Sequence, residues 1–268
     1  MIRFERVSKR YPNGREALSE LSFEVPSGEM LFLTGRSGAG KSTVLKLIAL
    51  LERASRGEVW VNGQHTAKLS ARRIPQFRRG IGVVFQDHRL LRDRPVFDNV
   101  ALPLVAADIS FREIDRRVRA ALDQVGLLGR ERALPLELSV GEQQRVGIAR
   151  AIVGKPPLLI ADEPTGNLDA TLAREVLDLF ARFSAVGVTV MIATHDLALV
   201  RASGRRELRL EGGTLAAASA QAPVGGQAPM ATPTTTAPLP GSAHAGLSPP
   251  ADSRLPRDIA ALVNPAAR

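Results

Sequence analysis

Ten consecutive residues, Thr34 to Thr43 (TGRSGAGKST), combine small side chains, one lysine and two terminal hydroxyls in a spacing that suits a polyphosphate. They fit G-x-x-x-x-G-K-[ST], with Gly35, Gly40, Lys41 and Ser42 at the fixed places. A loop that wraps phosphates with its backbone N–H groups must keep its side chains short, as Gly35, Ser37, Gly38, Ala39 and Gly40 do. Lys41 offers a point charge to the β- and γ-phosphates, and the Ser42 hydroxyl is placed to ligate Mg²⁺. The pattern points to a nucleoside triphosphate and leaves open which one, and what its energy is used for.

Other residues are candidates for the same chemistry. Leu158-Leu159-Ile160-Ala161 is an apolar run that ends in Asp162 and Glu163. Behind a phosphate loop, Asp162 suits a Mg²⁺ ligand, directly or through water, and Glu163 suits polarisation of an attacking water. Gln86 and His195 also stand just past apolar runs, where α/β proteins place ligand contacts, although a loop glutamine and a structural histidine fit those segments too. Ser139 precedes a helical pattern with Glu142 three residues on, which reads as a capping box and also as an anion site at a helix N-terminus. Tyr11, the one tyrosine, lies in an early turn (Tyr11-Pro12-Asn13-Gly14); it suits either stacking on a nucleobase or ordinary packing.

Strands and helices must hold these residues. Met30-Leu31-Phe32-Leu33 reads as a buried strand before the loop, and Ser42 to Leu51 as a helix whose N-terminus points back at it. A Gly/Ser surface turn would lack both. Ile2 to Val7 alternates apolar and charged residues as a half-buried strand does, and Leu18 to Val25 is a second strand region. Arg56 to Gly63 reads as a strand between Gly turns, followed by a basic segment with Arg72, Arg73, Arg78 and Arg79 around Pro75. Gly82 to Phe85 and Val188 to Ala193 are further short strands. Between them, Val96 to Val105 reads as a helix start interrupted by Pro103. Phe111 to Leu128 carries Ile114, Val118, Ala121, Leu122 and Val125 on one helical face, with its arginines on a solvated one.

The chain has 268 residues, no cysteine and a formal net charge of +9. It has no disulfide or cysteine metal site, no run of 18 apolar residues to span a bilayer, and no apolar core in MIRFERVSKRY for a secretory signal. The positive charge fits nucleic acid, an anionic membrane face, or an arginine-rich solvated surface; one Trp and one Tyr offer little stacking for single strands. From Gly213 onward Pro, Ala, Thr, Ser and Gly dominate, and nine of the eighteen prolines fall there, so 213–268 is expected to be a disordered tail. Arg257 to Val263 could form a short helical turn within it.

Taken in order, these segments resemble the ATP-binding cassette (ABC) ATPases over residues 1–212. Gly35–Thr43 is similar to Walker A, Gln86 to the Q-loop, Leu138–Gln143 to the signature motif, Leu158–Glu163 to Walker B, Asn167–Asp169 to the D-loop and His195 to the switch histidine. ADEPTGNLD (Ala161–Asp169) is similar to the branch holding cell-division, lipoprotein-release and macrolide-export ATPases, and FQDHRLL (from Phe85) is similar to its cell-division members. The resemblance implies a RecA-like P-loop α/β core, an N-terminal antiparallel β region and an inserted helical subdomain at about 87–150. It implies Mg²⁺-dependent hydrolysis of ATP. Glu163, His195 and Gln86 would act in catalysis, Ser42, Gln86 and Asp162 would hold the metal, and Asp169 would couple the two sites. ATP would be held by Tyr11, Gly35, Arg36, Ser37, Gly38, Ala39, Gly40, Lys41, Ser42 and Thr43, and by Ser139, Gly141 and Glu142 of a second copy in a head-to-tail dimer.

A cell-division role implies an FtsX-like integral membrane protein docked near Gln86–Asn99, and a cytoplasmic, peripheral place on the inner membrane. An exporter or lipoprotein-release ATPase, a soluble nucleic-acid or ribosome factor and a non-hydrolysing scaffold are the alternatives. The usual signature glycine is replaced by Val140, which is costly if that residue needs positive φ or if the phosphate approaches it closely, and mild if it has ordinary helical geometry.

Overall fold

The computed structural model describes residues 1–216. The expected tail and the turn at 257–263 lie outside the described residues, apart from the first few positions after 212. Two sheets organise the chain. The first is antiparallel, in the order β2-β1-β4-β5, from β1 (Ile2–Arg10), β2 (Glu16–Val25), β4 (Arg56–Val61) and β5 (Gln64–His65). The second has six strands in the order β10-β9-β3-β8-β7-β6. Its members β3 (Met30–Thr34), β6 (Ile81–Val84), β7 (Leu158–Asp162), β8 (Thr189–Thr194) and β9 (Arg206–Glu211) run parallel, and β10 (Thr214–Ala216) closes the edge antiparallel to β9.

The apolar runs read as buried strands are the centre of that second sheet. Successive residues in a strand face opposite sides. Leu31 and Leu33 of β3, Leu158 and Ile160 of β7, and Met191 and Ala193 of β8 join a core with the antiparallel sheet and the helix α1 (Lys41–Ile48). Met30 and Phe32, Leu159 and Ala161, and Val190 and Ile192 join a second core on the far face. A parallel sheet covered on both faces needs apolar residues at every position, which is why these runs do not alternate with polar residues.

The second core includes α3 (Val96–Val105), α4 (Phe111–Gln124), α5 (Val140–Ile152) and α6 (Ala170–Ala185). The helix α3 continues through Pro103 rather than stopping there. On α4, Ile114, Val118, Ala121 and Leu122 are buried. Its arginines are less independent than a solvated face implies: Glu113 pairs with Arg116 at 2.8 Å and Arg117 at 2.6 Å, and Asp115 with Arg119 at 3.1 Å. The hydrogen bonds from Arg116 and then Arg117 lower the Glu113 pKa to about 2. A carboxylate held below its usual value adds stability above its unfolded pKa of about 4.3 and loses it as pH falls through the folded one. An NMR titration of the Glu113 side chain is expected to read a midpoint near 2, and a midpoint near 4 in Arg116→Ala/Arg117→Ala.

The remaining α-helices among the described residues are α2 (Ile74–Arg79), which holds Arg78 and Arg79 of the basic segment while Arg72 and Arg73 sit in a 3-10 turn before it, and α7 (Leu197–Ser203). At the other end, Gly212 and Gly213 both have positive φ and turn β9 into β10. The folded chain therefore runs at least to Ala216, past the position 212 expected from composition. Among the described residues no helix is long and apolar enough to cross a membrane.

Candidate nucleotide site

The carboxyl ends of β3, β6, β7 and β8 deliver the phosphate loop, Gln86, Asp162–Glu163 and His195 to one rim of the parallel sheet. An α/β fold places ligands at this end because the loops there leave the sheet toward solvent and the following helices point their N-termini at it. The result is an open cleft of about 750 Å³, lined by Tyr11, Arg15, Ala17, Arg36 to Thr43, Lys46, Gln86, Asp162, Glu163 and His195. That volume is ample for a small molecule.

Backbone geometry explains two of the loop's fixed glycines. Gly35 has φ of 147°, and a Cβ there would lie 2.5 Å from the Leu210 carbonyl oxygen. Gly40 has φ of 108°, and its Cβ would lie 2.7 Å from Leu18 Cδ2 and 2.8 Å from the Ala17 oxygen. Both positions combine a conformation that L-residues avoid with no space for a side chain. The helix α1 opens immediately after, at Lys41, one residue earlier than its sequence pattern indicates. Lys41 is nearly buried; its Nζ donates to the Gly35 oxygen at 2.7 Å and sits 3.6 Å from Glu163 Oε1.

Glu163 is the focus of the cleft's charge. Its φ is 49°, the left-handed region that non-glycine residues seldom occupy, and its N–H donates to the Ala193 oxygen at 2.8 Å. That strained turn at the end of β7 aims the carboxylate between two partners. Oε1 faces Lys41; Oε2 is 3.0 Å from His195 Nδ1 and accepts from the His195 backbone N–H at 3.3 Å. The Asp162 carboxyl is pushed above its usual range, first by burial, while a hydrogen bond from Ser42 opposes the shift. A partly desolvated carboxylate beside a hydroxyl, with a second carboxylate adding to its repulsion, is a set of hard oxygen donors that a divalent cation would relieve.

Tyr11 lies across the loop from these groups. Its hydroxyl is 3.4 Å from Thr43 Oγ1, and Lys9 Nζ stands 5.0 Å from the ring centroid. Two charged cleft residues were not singled out by sequence. Arg15 donates to the Gly38 oxygen at 3.3 Å, and Lys46 lies one turn along α1 from Ser42. Lys46 was legible in principle, since a helix starting at the phosphate loop repeats its face every three to four residues. Arg15 was not, because only the β1–β2 hairpin brings it near.

Ser139, Gly141 and Glu142 do not line this cleft. They form the start of α5, where Ser139 Oγ accepts from the Glu142 N–H at 3.2 Å and the Ser139 N–H donates to Glu142 Oε2 at 2.9 Å. The latter bond is the main reason the Glu142 pKa is lowered. The capping box is therefore present in full. Val140 is the first helical residue, half exposed and without positive φ, so the backbone cost of this substitution does not apply. Asp169 caps α6, accepting from Thr171 and Leu172 N–H at 2.9 Å each.

Comparison with known proteins places these features in a family context. Residues 18–166 match the family model described as "ABC transporter". The chain is 56% identical over 215 residues to the "Cell division ATP-binding protein FtsE" of Escherichia coli K12, covering 80% of this chain and 97% of that protein. It is 44% identical over 216 residues to the protein of the same name from Mycobacterium tuberculosis, covering 80% and 94%. Among solved structures it is similar to a dimeric post-hydrolysis state of the ATP-binding cassette MJ0796 bound to ADP and Pi, with a TM-score of 0.75 and 32% identity over 82% of this chain and 98% of that one.

Proposed function

The chain belongs to the ABC transporter family and is an ATPase, and we propose that it is the FtsE-like motor subunit of a bacterial cell-division complex, hydrolysing ATP to drive an FtsX-like integral membrane partner. The placement of the Glu163 carboxylate between Lys41 and His195, at the mouth of a phosphate loop, carries the chemical part of this reading. The similarity to proteins named FtsE supports the biological part.

In this mechanism the backbone of Gly35 to Gly40 cradles the ATP phosphates, with Arg36, Lys41 and Thr43 beside them, and Tyr11 stacks on the adenine. Glu163 orients a water against the γ-phosphorus and takes up its proton as the new P–O bond forms. The bond to the bridging oxygen breaks, and ADP carries the electron pair away. Lys41 stabilises the charge developing on the β- and γ-oxygens, and His195 contacts the γ-phosphate. Mg²⁺, when bound by Ser42 and Asp162 within reach of Gln86, would neutralise phosphate charge there.

The cleft is one side of the complete site. Ser139, Gly141 and Glu142 lie outside it and form an anion-accepting helix start, so a second copy of the chain is the reading that brings them to the nucleotide, with Asp169 at the junction. The solved relatives described as dimeric cassettes support it. Units 1–212, extended by β10, and the helical subdomain at about 87–150 serve as motor and transmission. The membrane partner docks near Gln86–Asn99 and holds the ATPase at the cytoplasmic face of the inner membrane.

Purification of the full chain from native membranes tests the biological reading. An FtsX-like protein is expected with it. Recovery of a lipoprotein-release or macrolide-export permease in its place would assign the chain to that sister role, and recovery of nucleic acid alone would remove the membrane role altogether.

Because Val140 is helical and exposed, Val140→Gly is expected to change turnover of the assembled complex by less than tenfold, or ~1.4 kcal/mol of barrier. Steady-state ATPase assays check this. A larger rise would mean the valine side chain obstructs the phosphate.

A further inference from the structure

The segment that follows Gln86 is held in an improbable shape. His88 and Arg89 have φ of 55° and 48°, two successive left-handed residues with neither a glycine nor an asparagine between them. L-residues avoid that region singly, and a consecutive pair persists only when its surroundings fix it. The contacts that hold the pair come from α5, and those that hold the residues just after it come from α3.

From α5, the Arg150 guanidinium donates Nη1 to the Arg89 oxygen at 2.7 Å and Nη2 to the His88 oxygen. The His88 ring lies against Gln144 of the same helix. From α3, the fully buried Asn99 accepts from the Leu91 N–H at 2.7 Å through Oδ1. Its Nδ2 donates to the oxygens of Leu91, Arg94 and Pro95 at 3.0–3.1 Å. Arg89 closes the arrangement by laying its guanidinium over the Phe85 ring at 4.3 Å.

Arg150 and Ser139 are at opposite ends of α5. Val140 and Arg150 are ten positions apart on the helix, a rod of about 15 Å. One end presents Ser139; the other grips the carbonyls of residues 88–89, just after Gln86. We propose that Arg150 is a positioning residue: it clamps residues 88–89 to α5, so that movement of the α5 N-terminus toward nucleotide on a second copy is passed to the segment on which the membrane partner docks. This rests on the two-copy, partner-driven reading above. A planar guanidinium can satisfy two neighbouring carbonyls at once, and a lysine ammonium at the end of a flexible stem does not hold the same fork.

Arg150→Lys keeps the charge and helix propensity while removing the fork; Arg150→Met removes both charge and fork. The first measurement is amide hydrogen exchange of the isolated full-length chain. Both variants are expected to exchange at least tenfold faster across residues 88–91, with unfolding midpoint and ATP-analogue affinity unchanged for Arg150→Lys. The second is ATP turnover of the chain alone and in complex with the co-purified membrane protein. Basal turnover is expected within twofold of the parent, with the partner-stimulated rate at least tenfold lower. Unaltered exchange across 88–91 in Arg150→Lys overturns the clamp, as does an equal loss of basal and stimulated turnover. If no membrane protein co-purifies, the partner reading falls by that result, while the exchange measurement on the isolated chain still decides whether Arg150 holds the segment.

Discussion

Glu163→Gln is expected to lower ATP turnover by about a thousandfold while leaving ATP binding intact. General-base assistance is worth ~10²–10⁴ in rate, so loss of the carboxylate removes on the order of 4 kcal/mol of barrier lowering. Glutamine keeps the size and one acceptor oxygen, so the bond from the His195 N–H at 3.3 Å can survive. It cannot take a proton. The left-handed turn at φ 49° is no harder for Gln than for Glu, so the fold is not strained further. Affinity is expected to hold or rise, because a negative charge 3.6 Å from Lys41 disappears from the neighbourhood of the phosphates. The two-copy reading adds a further consequence. ATP that binds and is not cleaved should accumulate a closed pair of chains, visible by sedimentation as ATP-dependent dimer. Single-turnover hydrolysis and equilibrium nucleotide binding separate the effects. A fall of less than tenfold in the single-turnover rate would show that another group takes the proton, with His195 the nearest candidate.

How much of this was legible in the sequence depends on whether a feature is local. The phosphate loop was legible because its glycines answer local demands, and the structure shows these at Gly35 and Gly40. The strand runs before Lys41, Asp162 and His195 were legible because burial on both faces leaves an unbroken apolar signature. The Ser139–Glu142 capping box was legible because both partners sit within one turn. By contrast, the edge hairpin was hidden by composition. Gly212-Gly213 between LRLE and TLA is a turn signal, but it abuts a Pro/Ala/Thr-rich stretch that obscures it. The grip of Arg150 on His88 and Arg89 spans about 60 positions, and no spacing rule connects an arginine on a helix with two carbonyls that far upstream. Nor does any local rule show that Ser139 fails to reach the phosphate loop of its own chain. That separation is a property of the tertiary arrangement, and it makes a second copy necessary to the reading.

Lys41→Met is expected to weaken ATP binding about a hundredfold, and its effect on the nucleotide-free chain should depend on Glu163. Methionine follows the lysine stem in length and apolar character, so packing in this nearly buried position is kept. The lost interactions are electrostatic. Toward nucleotide, Lys41 supplies charge-assisted hydrogen bonds worth ~1.5–3 kcal/mol, which corresponds to about 10–150-fold in affinity. Within the chain, the same ammonium donates to the Gly35 oxygen at 2.7 Å and faces Glu163 at 3.6 Å. Lys41 thus bridges the loop backbone and the Glu163 carboxylate. Removing it leaves the Glu163 carboxylate with His195 alone, at a site where only about a tenth of the side chain is exposed. A loss of ~1–2 kcal/mol in unfolding free energy is expected from an unpaired, partly desolvated charge. The same substitution in a Glu163→Gln background should cost less, because no carboxylate is left to orphan, and a double-mutant cycle by denaturant unfolding isolates that difference. Isothermal titration with an ATP analogue measures the binding side. If affinity changes by less than threefold, the phosphates do not meet Lys41. If the stability costs simply add, its apposition to Glu163 has no energetic content.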